Sequence, residues 1–153
     1  MIIKVKPLTS CLGNLLSIIR IEREFIKEEN TCFRSSKSDI SKCLKSMASV
    51  GLYENNKLIG FVLAHFTEYG TGYIEKVFVV PELRNKGCMK QMMNESMSLL
   101  FKNGVKEVYT MVSPENEVSL KGFVDCGFWY SWGTVYNGKK RLVLKRIDNE
   151  ACY

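Results

Sequence analysis

The hydrophobic residues at the start of the chain change from strand spacing to helical spacing. Residues 2–6 are largely β-branched and are followed by Pro7, which predicts a short first strand. Thr9 or Ser10 is then expected to cap a first helix. Apolar residues recur at helical intervals and predict that its buried face consists of Leu12, Leu15, Leu16, Ile19, Phe25 and Ile26.

A second helix is predicted to begin at Ser36 or Ser38, because either hydroxyl can cap it. The apolar residues that follow have the spacing of one helical face. They are Ile40, Cys43, Leu44 and Met47. The first two helices are therefore expected to supply mostly core residues.

The middle of the chain has the alternation and β-branched content of strands. Residues 50–54 and 58–66 flank Asn55-Asn56-Lys57, which predicts a hairpin because asparagine tolerates a positive φ. A further strand is predicted over residues 73–80. It follows the turn Gly70-Thr71-Gly72 and ends at Pro81.

The last part of the chain predicts a helix, a strand, a short helix and a closing hairpin. Asn103-Gly104 ends the helix over residues 87–102, and the strand covers 106–112. The short helix follows Asn116 and is stopped by Gly127. Asn137-Gly138 is a strong hairpin signal between the strands at 128–136 and 140–147.

The predicted element order is β-α-α-β-β-β-α-β-α-β-β, which indicates an α/β (α+β) fold. We expect a mixed, mostly antiparallel central sheet flanked by about four helices. The βαβ unit over residues 73–112 implies one locally parallel pair of strands. The pattern differs from that of a doubly wound nucleotide-binding fold.

Length and composition restrict the class of protein. With 153 residues, 46% hydrophobic and 25% charged, the chain is expected to form a single domain over residues 1–153. No apolar run approaches the ~20 residues of a membrane span, and the N-terminus lacks the apolar core of a signal peptide. We therefore predict a cytoplasmic protein that does not contact a membrane.

The cysteines and the histidine argue against a metal site. Six cysteines include no CxxC pair, and the chain has a single histidine, His65. Since no signal peptide directs the chain to an oxidising compartment, we expect reduced thiols.

The net charge of +6 favours anionic ligands. Part of it lies in the final hairpin, which we interpret as a solvated surface because no nucleic-acid-binding motif accompanies it. We therefore predict no nucleic-acid partner. The basic residues of the hairpin are Lys139, Lys140, Arg141, Lys145 and Arg146.

The most informative segment is residues 84–89, which join a predicted strand to a predicted helix. The first N–H groups of a helix lack internal partners and carry partial positive charge, so they favour anions. Gly87 permits close approach to the backbone, and Arg84, Lys86 and Lys90 add positive charge. The segment predicts either an anion site or an ordinary β-turn-α connection with solvated basic residues.

Two sets of residues form recognisable motifs. The first is Arg84, Gly87 and Met89, and the second is Asn116, Ser119, Gly127 and Phe128. The first resembles the signature R/Q-x-x-G-x-G/A of the GNAT superfamily of acetyl-CoA-dependent N-acetyltransferases, and the second resembles a later helix of that family. The resemblance covers roughly residues 50–146 by motif and element order. It covers the first fifty residues by element order alone.

The resemblance implies acetyl-CoA as cosubstrate and direct transfer of its acetyl group to a primary amine of a small molecule or peptide, without a metal. In such proteins a loop wraps the pyrophosphate of coenzyme A, and strand main chain bonds the pantetheine arm and the acetyl carbonyl. A backbone N–H of that strand would stabilise the oxyanion. The implied cofactor-binding residues are Val77, Phe78, Val79, Arg84, Asn85, Lys86, Gly87, Cys88, Met89, Lys90 and Asn116.

An amine acceptor must lose a proton before its lone pair can attack. Glu75 is the candidate catalytic base, since its context resembles family members whose glutamate faces the acceptor. Strand alternation predicts that Glu75 lies on the same face as Val77 and Val79. The alternative is a rim glutamate paired with a lysine, and Glu68 and His65 are weaker candidates for the base.

Two residues depart from the family pattern. Met89 replaces the usual Gly or Ala at the last position of the first motif. Phe123 stands where many members have a tyrosine that protonates the leaving thiolate. That role is therefore unfilled, or it falls to water, Cys126 or Tyr130.

These departures keep a second function open, a catalytically silent acyl-CoA-binding sensor or interaction domain. The sequence does not identify the acceptor, and it is compatible with a monomer or a homodimer. Several aromatic residues either line an acceptor pocket or form core or dimer contacts. They are Phe25, Phe33, Trp129, Tyr130 and Trp132.

Overall fold

The structure is a computed structural model that describes residues 2–26 and 34–149. In these residues seven strands form one sheet, and four α-helices cover it. The elements in chain order are β1 Ile3–Pro7, α1 Leu12–Phe25, α2 Lys37–Lys45, β2 Val50–Glu54, β3 Lys57–Phe66, β4 Gly72–Val79, a 3₁₀ turn Pro81–Leu83, α3 Cys88–Lys102, β5 Glu107–Val112, α4 Glu117–Asp125, β6 Trp129–Tyr136 and β7 Lys139–Ile147.

The strand order in the sheet is β1-β2-β3-β4-β5-β7-β6. Every neighbouring pair is antiparallel except β4 and β5, which are parallel because α3 crosses between them. The predicted fold class and element order are therefore confirmed.

Successive residues of β3 pack into two different hydrophobic clusters, so the sheet has a buried layer on each face. Val62 and Ala64 belong to the cluster that includes α3, and this side is called the α3 face. Phe61 and Leu63 belong to the cluster that includes α1 and α2, and this side is called the α1–α2 face.

The buried face of α1 differs from the prediction. Ile18, Ile21 and Glu22 are buried, whereas Leu12 and Leu16 are 68% and 55% exposed. The helix sequence contains two overlapping apolar stripes. The stripe that faces the sheet buries Ile18 and Ile21 and also places Glu22 2.9 Å from Nζ of a lysine on β4.

Two further details near the first helices correct the sequence analysis. The N-cap of α1 is Cys11, whose sulfur accepts from the Asn14 N–H at 3.4 Å, rather than Thr9 or Ser10. Met47 is exposed because α2 ends at Lys45 and the chain then turns with a φ of 62°. The predicted Ser36 cap of α2 is confirmed.

None of the helices in residues 2–26 and 34–149 is long and apolar enough to cross a membrane. Within the same residues no three histidine, cysteine, aspartate or glutamate side chains come together as a metal site. The four cysteines that the structure describes are free thiols, namely Cys11, Cys43, Cys88 and Cys126.

Candidate active site

A cleft opens in the middle of the sheet because β4 and β5 pair at one end and then separate. Their ladder consists of Gly72 with Val108 and Tyr73 with Tyr109, although β4 continues for six residues beyond Tyr73. Thr110 of β5 donates its hydroxyl to the Ile74 carbonyl at 3.0 Å where the strands diverge. Beyond this point the edge of β4 faces the cleft.

The main chain of Val77 and Val79 is directed at this cleft. The Val80 N–H donates to the Ile59 carbonyl of β3 at 3.0 Å, and backbone groups alternate between the two edges of a strand. The intervening odd-numbered residues therefore turn their N–H and C=O groups away from β3. Arg84 Nε donates to the Val79 carbonyl at 3.0 Å, which agrees with that orientation.

A β-bulge at Glu75 interrupts the alternation of β4. Ile74 lies opposite Ala64 and Lys76 lies opposite Leu63, so Glu75 is the extra residue on its strand. Its carboxylate contacts a residue of the α1–α2 face, whereas Val77 packs against the cluster of the α3 face. The prediction that Glu75 shares a face with Val77 and Val79 is therefore wrong.

Glu75 belongs to a polar cluster on the α1–α2 face. Its Oε2 lies 3.3 Å from Nε2 of His65 on β3, and His65 is only 7% exposed. Nδ1 of the same ring lies 3.2 Å from the Phe66 carbonyl. The Tyr73 ring packs against the imidazole at 5.4 Å between centroids. The sequence analysis did not anticipate a histidine partner for Glu75.

Two groups that Glu75 influences have raised pKa values. Burial raises the pKa of the Tyr73 hydroxyl, Glu75 and Tyr136 raise it further, and a hydrogen bond with the Met111 backbone lowers it by less. Burial raises the pKa of the Cys43 thiol of α2 to about 12, and Glu75 contributes to that shift. Both groups therefore stay protonated at neutral pH and do not serve as bases.

A buried ion pair lies beside the bulge. Nζ of Lys76 is 2.9 Å from Oε1 of Glu22 on α1, and these side chains are 13% and 3% exposed. The other Glu22 oxygen accepts from the Ser35 N–H at 2.8 Å. The pair thus ties α1 and the residue before the α2 cap to β4, next to the candidate base.

The connection from β4 to α3 has the backbone shape of an anion site. Asn85 and Gly87 have left-handed φ values of 59° and 79°, and Gly87 is the N-cap of α3 without a side-chain capping bond. Left-handed residues turn neighbouring N–H groups toward one concavity. A Cβ atom on Gly87 would meet nothing within 4 Å, so the space at this helix end is open. The residues present fit a phosphate group.

The predicted cofactor residues around this loop differ in exposure. Lys86, Gly87 and Lys90 are exposed, whereas Cys88 is buried. The Arg84 side chain folds back against β4, with its guanidinium carbon 5.8 Å from the centre of the Phe78 ring. Its charge therefore lies near the edge of β4.

Met89, the departure from the first motif, packs onto α4. A Cβ atom on Gly122 would lie 2.8 Å from Sδ of Met89, so the glycine provides the space that the methionine fills. The bulkier side chain at position 89 is thus matched by the smallest residue at position 122.

Asn116 is the N-cap of α4. Its Oδ1 accepts from the Ser119 N–H at 3.1 Å, so helix capping explains the spacing of the second motif. Near the other end of α4, Phe123 is buried with its ring edge-on to Phe128 at 5.3 Å. Burial also raises the pKa of the Cys126 thiol. Phe123 offers no proton to a leaving group.

The remaining candidates are spread over the molecule. Trp129, Tyr130 and Trp132 on β6 are exposed, so a core role is wrong for them. Phe25 packs on Phe78 at 5.6 Å between ring centroids, and Phe33 lies outside the described residues. Glu68 lies exposed in the turn before β4.

The basic hairpin is only partly a solvated surface. Lys140 is exposed, but Arg141 is buried and donates from Nη1 to the Lys140 carbonyl at 2.9 Å. Arg146 donates to the Cys126 carbonyl at 3.0 Å and packs over the Phe101 ring. The solvated interpretation is therefore wrong for Arg141.

Residues 17–128 match the Acetyltransferase (GNAT) family. The chain belongs to the GNAT acetyltransferase family. The match spans most of the chain and includes the cleft, the β4–α3 loop and α4. Among curated protein sequences, none matches this GNAT protein.

Solved structures of other acetyltransferases share its fold. Ard1 from Thermoplasma volcanium superposes with a TM-score of 0.79 at 14% identity, covering 96% of this chain and 98% of that one. Arabidopsis thaliana Naa50, in complex with the bisubstrate analogue CoA-Ac-MVNAL, gives 0.77 at 15% identity and coverage of 95% and 99%. The ribosomal-protein-S18-alanine N-acetyltransferase from Escherichia coli gives 0.73 at 15% identity and covers 99% of both chains.

Sequence reasoning missed part of the cluster around Glu75. It did not single out Tyr73 or Cys43, whose pKa values Glu75 raises, or Tyr136, which acts on Tyr73. Tyr73 had a usable signal, since it lies two positions before Glu75 in the same strand. Cys43 and Tyr136 come from distant elements and had none.

Proposed function

We propose that this GNAT protein moves an acetyl group directly from the thioester of acetyl-CoA to a primary amine of a small molecule or peptide. The observation that supports the proposal is the cleft between β4 and β5. One side of it offers strand main chain near an uncapped helix N-terminus, and the other side carries Glu75 beside a bulge.

Acetyl-CoA fits the first side of the cleft. We assign the pyrophosphate to the loop and first helical turn at residues 84–90, and the pantetheine arm to the main chain of Val77-Phe78-Val79. Asn116 would contact the arm through its Nδ2, because its Oδ1 already accepts the capping bond. The Val79 carbonyl already accepts a hydrogen bond from Arg84, so the pantetheine arm would be a second partner for it. No metal is required.

The second side of the cleft supplies the proton chemistry. When bound, acetyl-CoA supplies an activated acetyl thioester. Glu75 takes a proton from the ammonium form of the acceptor, and the freed nitrogen lone pair attacks the thioester carbonyl carbon. The C–S bond then breaks, the sulfur leaves with its electron pair, and the second nitrogen proton is lost. Because Phe123 is no donor, we assign protonation of the thiolate to water.

Peptide amines are the first acceptor class to test. Two similar structures are named for peptide or protein substrates, the Naa50 complex with a peptide-linked analogue and the enzyme that acts on an alanine of ribosomal protein S18. Those names describe those proteins. Small-molecule amines form the second class to test. The sequence itself does not favour peptides over small molecules.

The alternative is a catalytically silent acyl-CoA-binding sensor or interaction domain. The observation that favours it is the buried Phe123, which leaves the usual tyrosine role without a side chain. It predicts the same binding of acetyl-CoA as the enzyme. It also predicts that no amine accelerates the loss of acetyl-CoA.

Two measurements in sequence test the proposal. Acetyl-CoA should raise the midpoint temperature of thermal unfolding by several degrees. A ligand concentration of about 100 Kd stabilises the folded state by about 2.7 kcal/mol. ATP is the control for general phosphate binding. A panel of peptides and small amines is then followed by mass spectrometry of the acetylated product. Absence of any shift at millimolar acetyl-CoA contradicts both functions, and a shift without product supports the silent domain.

We also propose that residues 1–153 form one N-acetyltransferase domain. A cytoplasmic location and a monomeric or homodimeric state stay predictions. Size-exclusion chromatography with light scattering tests the assembly.

A further inference from the structure

The two ring nitrogens of His65 both face oxygen acceptors. Nδ1 lies 3.2 Å from the Phe66 carbonyl, and Nε2 lies 3.3 Å from the Glu75 carboxylate. A backbone carbonyl never donates, so Nδ1 must carry the proton of its bond. In the neutral ring Nε2 therefore carries the lone pair, and it faces the carboxylate oxygen from which it can receive a proton once Glu75 has taken one up.

The bulge separates this contact from the face of Val77. Glu75 lies on the same side of β4 as Tyr73, which packs against the imidazole, whereas the extra residue places Val77 and Val79 on the opposite face. The imidazole itself is fixed, because His65 is buried and packs against Tyr73. The structure thus holds the carboxylate of β4 against a histidine of the adjacent strand β3, although the register partner of His65 is Tyr73.

We propose that His65 is a positioning residue that aims the Glu75 carboxylate at the acceptor amine and receives at Nε2 the proton that Glu75 removes. The inference deepens the proposed function and rests on it for its catalytic part. The pair has room for one proton between Nε2 and Oε2, in addition to the proton on Nδ1.

The proposed step moves one proton from the acceptor to His65 by way of Glu75. The N–H bond of the substrate ammonium breaks, its electrons stay on nitrogen as the attacking lone pair, and the proton bonds to Glu75. Transfer to Nε2 then gives an imidazolium and restores the carboxylate. Exchange with water returns the pair to its starting state. No oxidant, reductant or metal takes part.

Titratable groups from several elements surround the pair. Glu75 raises the pKa of Cys43 on α2 and of Tyr73 on β4, and Tyr136 on β6 also raises the pKa of Tyr73. The Lys76–Glu22 pair lies next to the bulge and joins β4 to α1. Tyr73 and Cys43 stay protonated at neutral pH, and Lys76 is paired, so none of these three competes for the transferred proton.

The single histidine of the chain permits a test that needs no activity. Protein with ¹⁵N-labelled histidine gives the protonation of both ring nitrogens of His65 by NMR. At neutral pH, Glu75→Gln should shift the Nε2 resonance more than the Nδ1 resonance, because only Nε2 loses its carboxylate partner. An unchanged Nε2 resonance would overturn the inference, whatever the activity.

The matched control is Glu107→Gln. Glu107 is also a strand carboxylate with a side-chain partner, Tyr109 at 2.5 Å, but it lies at the closed end of the cleft on β5. This variant should leave the imidazole spectrum as in the wild type. A change of equal size in both variants would contradict a specific pair.

The kinetic test uses His65→Gln, whose amide can still donate to Glu75 but cannot take up a proton. In the pH profile of kcat, the fall on the acid side should move about one pH unit lower, and the maximum kcat should fall about tenfold. KM for acetyl-CoA should stay the same. A merely structural loss would lower the rate equally at every pH, and that result would overturn the proton-receiving role.

The outcomes separate this inference from the proposed function. An NMR change with no turnover on any amine would refute the transferase and the proton-receiving role, and the His65–Glu75 pair would stand. Turnover without the NMR change would support the transferase and refute the pair. Thermal unfolding shows that each variant is folded, and the Glu75→Gln spectrum decides the matter if His65→Gln fails to fold.

Discussion

The two sides of the cleft between β4 and β5 present different kinds of polar group. Toward the α3 face, the groups are main-chain N–H and C=O of a strand edge and the start of α3. Toward the α1–α2 face, the groups are side chains, namely Glu75 with His65 and Lys76 with Glu22. Backbone groups have fixed chemistry at every pH, whereas side chains titrate and are lost by substitution.

This difference suggests a physical reason why one fold could bind the same cofactor while its acceptor varies. A site built from backbone tolerates side-chain changes such as Met89, provided that the backbone shape survives. A site built from side chains changes its chemistry with a single substitution. On the proposed function, cofactor binding would depend mainly on the backbone of the β4–α3 loop, and the acceptor chemistry would depend on side chains of the α1–α2 face.

The largest effect is expected from Glu22→Gln, which removes the charge of a buried ion pair. Because Lys76 would keep its charge in a mostly buried position, unfolding free energy should fall by about 3 kcal/mol. Urea denaturation measures the change. The control is Lys121→Ala in the exposed pair with Asp125, which should cost at most about 0.5 kcal/mol. Equal costs would show that burial does not distinguish the two pairs.

The next effect is on catalysis. Glu75→Gln should lower kcat by about 100-fold or more, because the acceptor loses its base while the side-chain volume stays the same. Initial rates with the best acceptor from the amine panel measure it. Glu107→Gln should retain the wild-type rate, since that carboxylate lies at the closed end of the cleft. A Glu75 variant as active as this control would remove Glu75 from the mechanism.

A smaller effect is expected on the backbone side. Gly87→Ala places a Cβ in a left-handed position and in the space open to a phosphate. It should weaken acetyl-CoA binding about tenfold, the equivalent of one charge-assisted hydrogen bond. Calorimetric titration measures the dissociation constant.

Gly104→Ala is the matched control for that variant. Gly104 lies just beyond the other end of α3, also has a left-handed φ, and also has open space at its Cβ. Both substitutions should lower unfolding free energy by about 1 kcal/mol. If both also weakened acetyl-CoA binding equally, the loss would come from stability and the loop would have no direct role.

The smallest effect is expected from Met89→Ala. Since the side chain packs on Gly122 of α4, acetyl-CoA affinity should stay within about twofold of the wild type. Unfolding free energy should fall by about 1 kcal/mol through lost packing. An affinity change of tenfold would place the methionine side chain in the cofactor loop and weaken the division between the two sides.

The sequence predicted the fold and the loop because their signals are local. Turn residues such as Asn137-Gly138, the caps and the strand patterns lie within a few positions of what they determine. The uncapped start of α3 was predictable in the same way from Gly87. These features gave the element order before any tertiary contact was known.

The bulge and the charge pairs were not predictable because their causes are distant in sequence. Glu75 is an ordinary strand residue, and its displacement depends on how β4 pairs with β3. The partner of Glu22 on α1 is Lys76, which lies 54 positions later. The space for Met89 comes from Gly122 on another helix. In each case the decisive partner appears only when the chain is folded.

The most direct test of this division of roles compares Glu75→Gln with the wild type in two measurements. Calorimetry gives the dissociation constant of acetyl-CoA for each protein, and initial rates give the turnover. We predict equal affinities and rates that differ by about 100-fold or more, because one side of the cleft binds acetyl-CoA and the other side carries the base. An affinity that falls as much as the rate would contradict it, since binding and reaction would then depend on the same group.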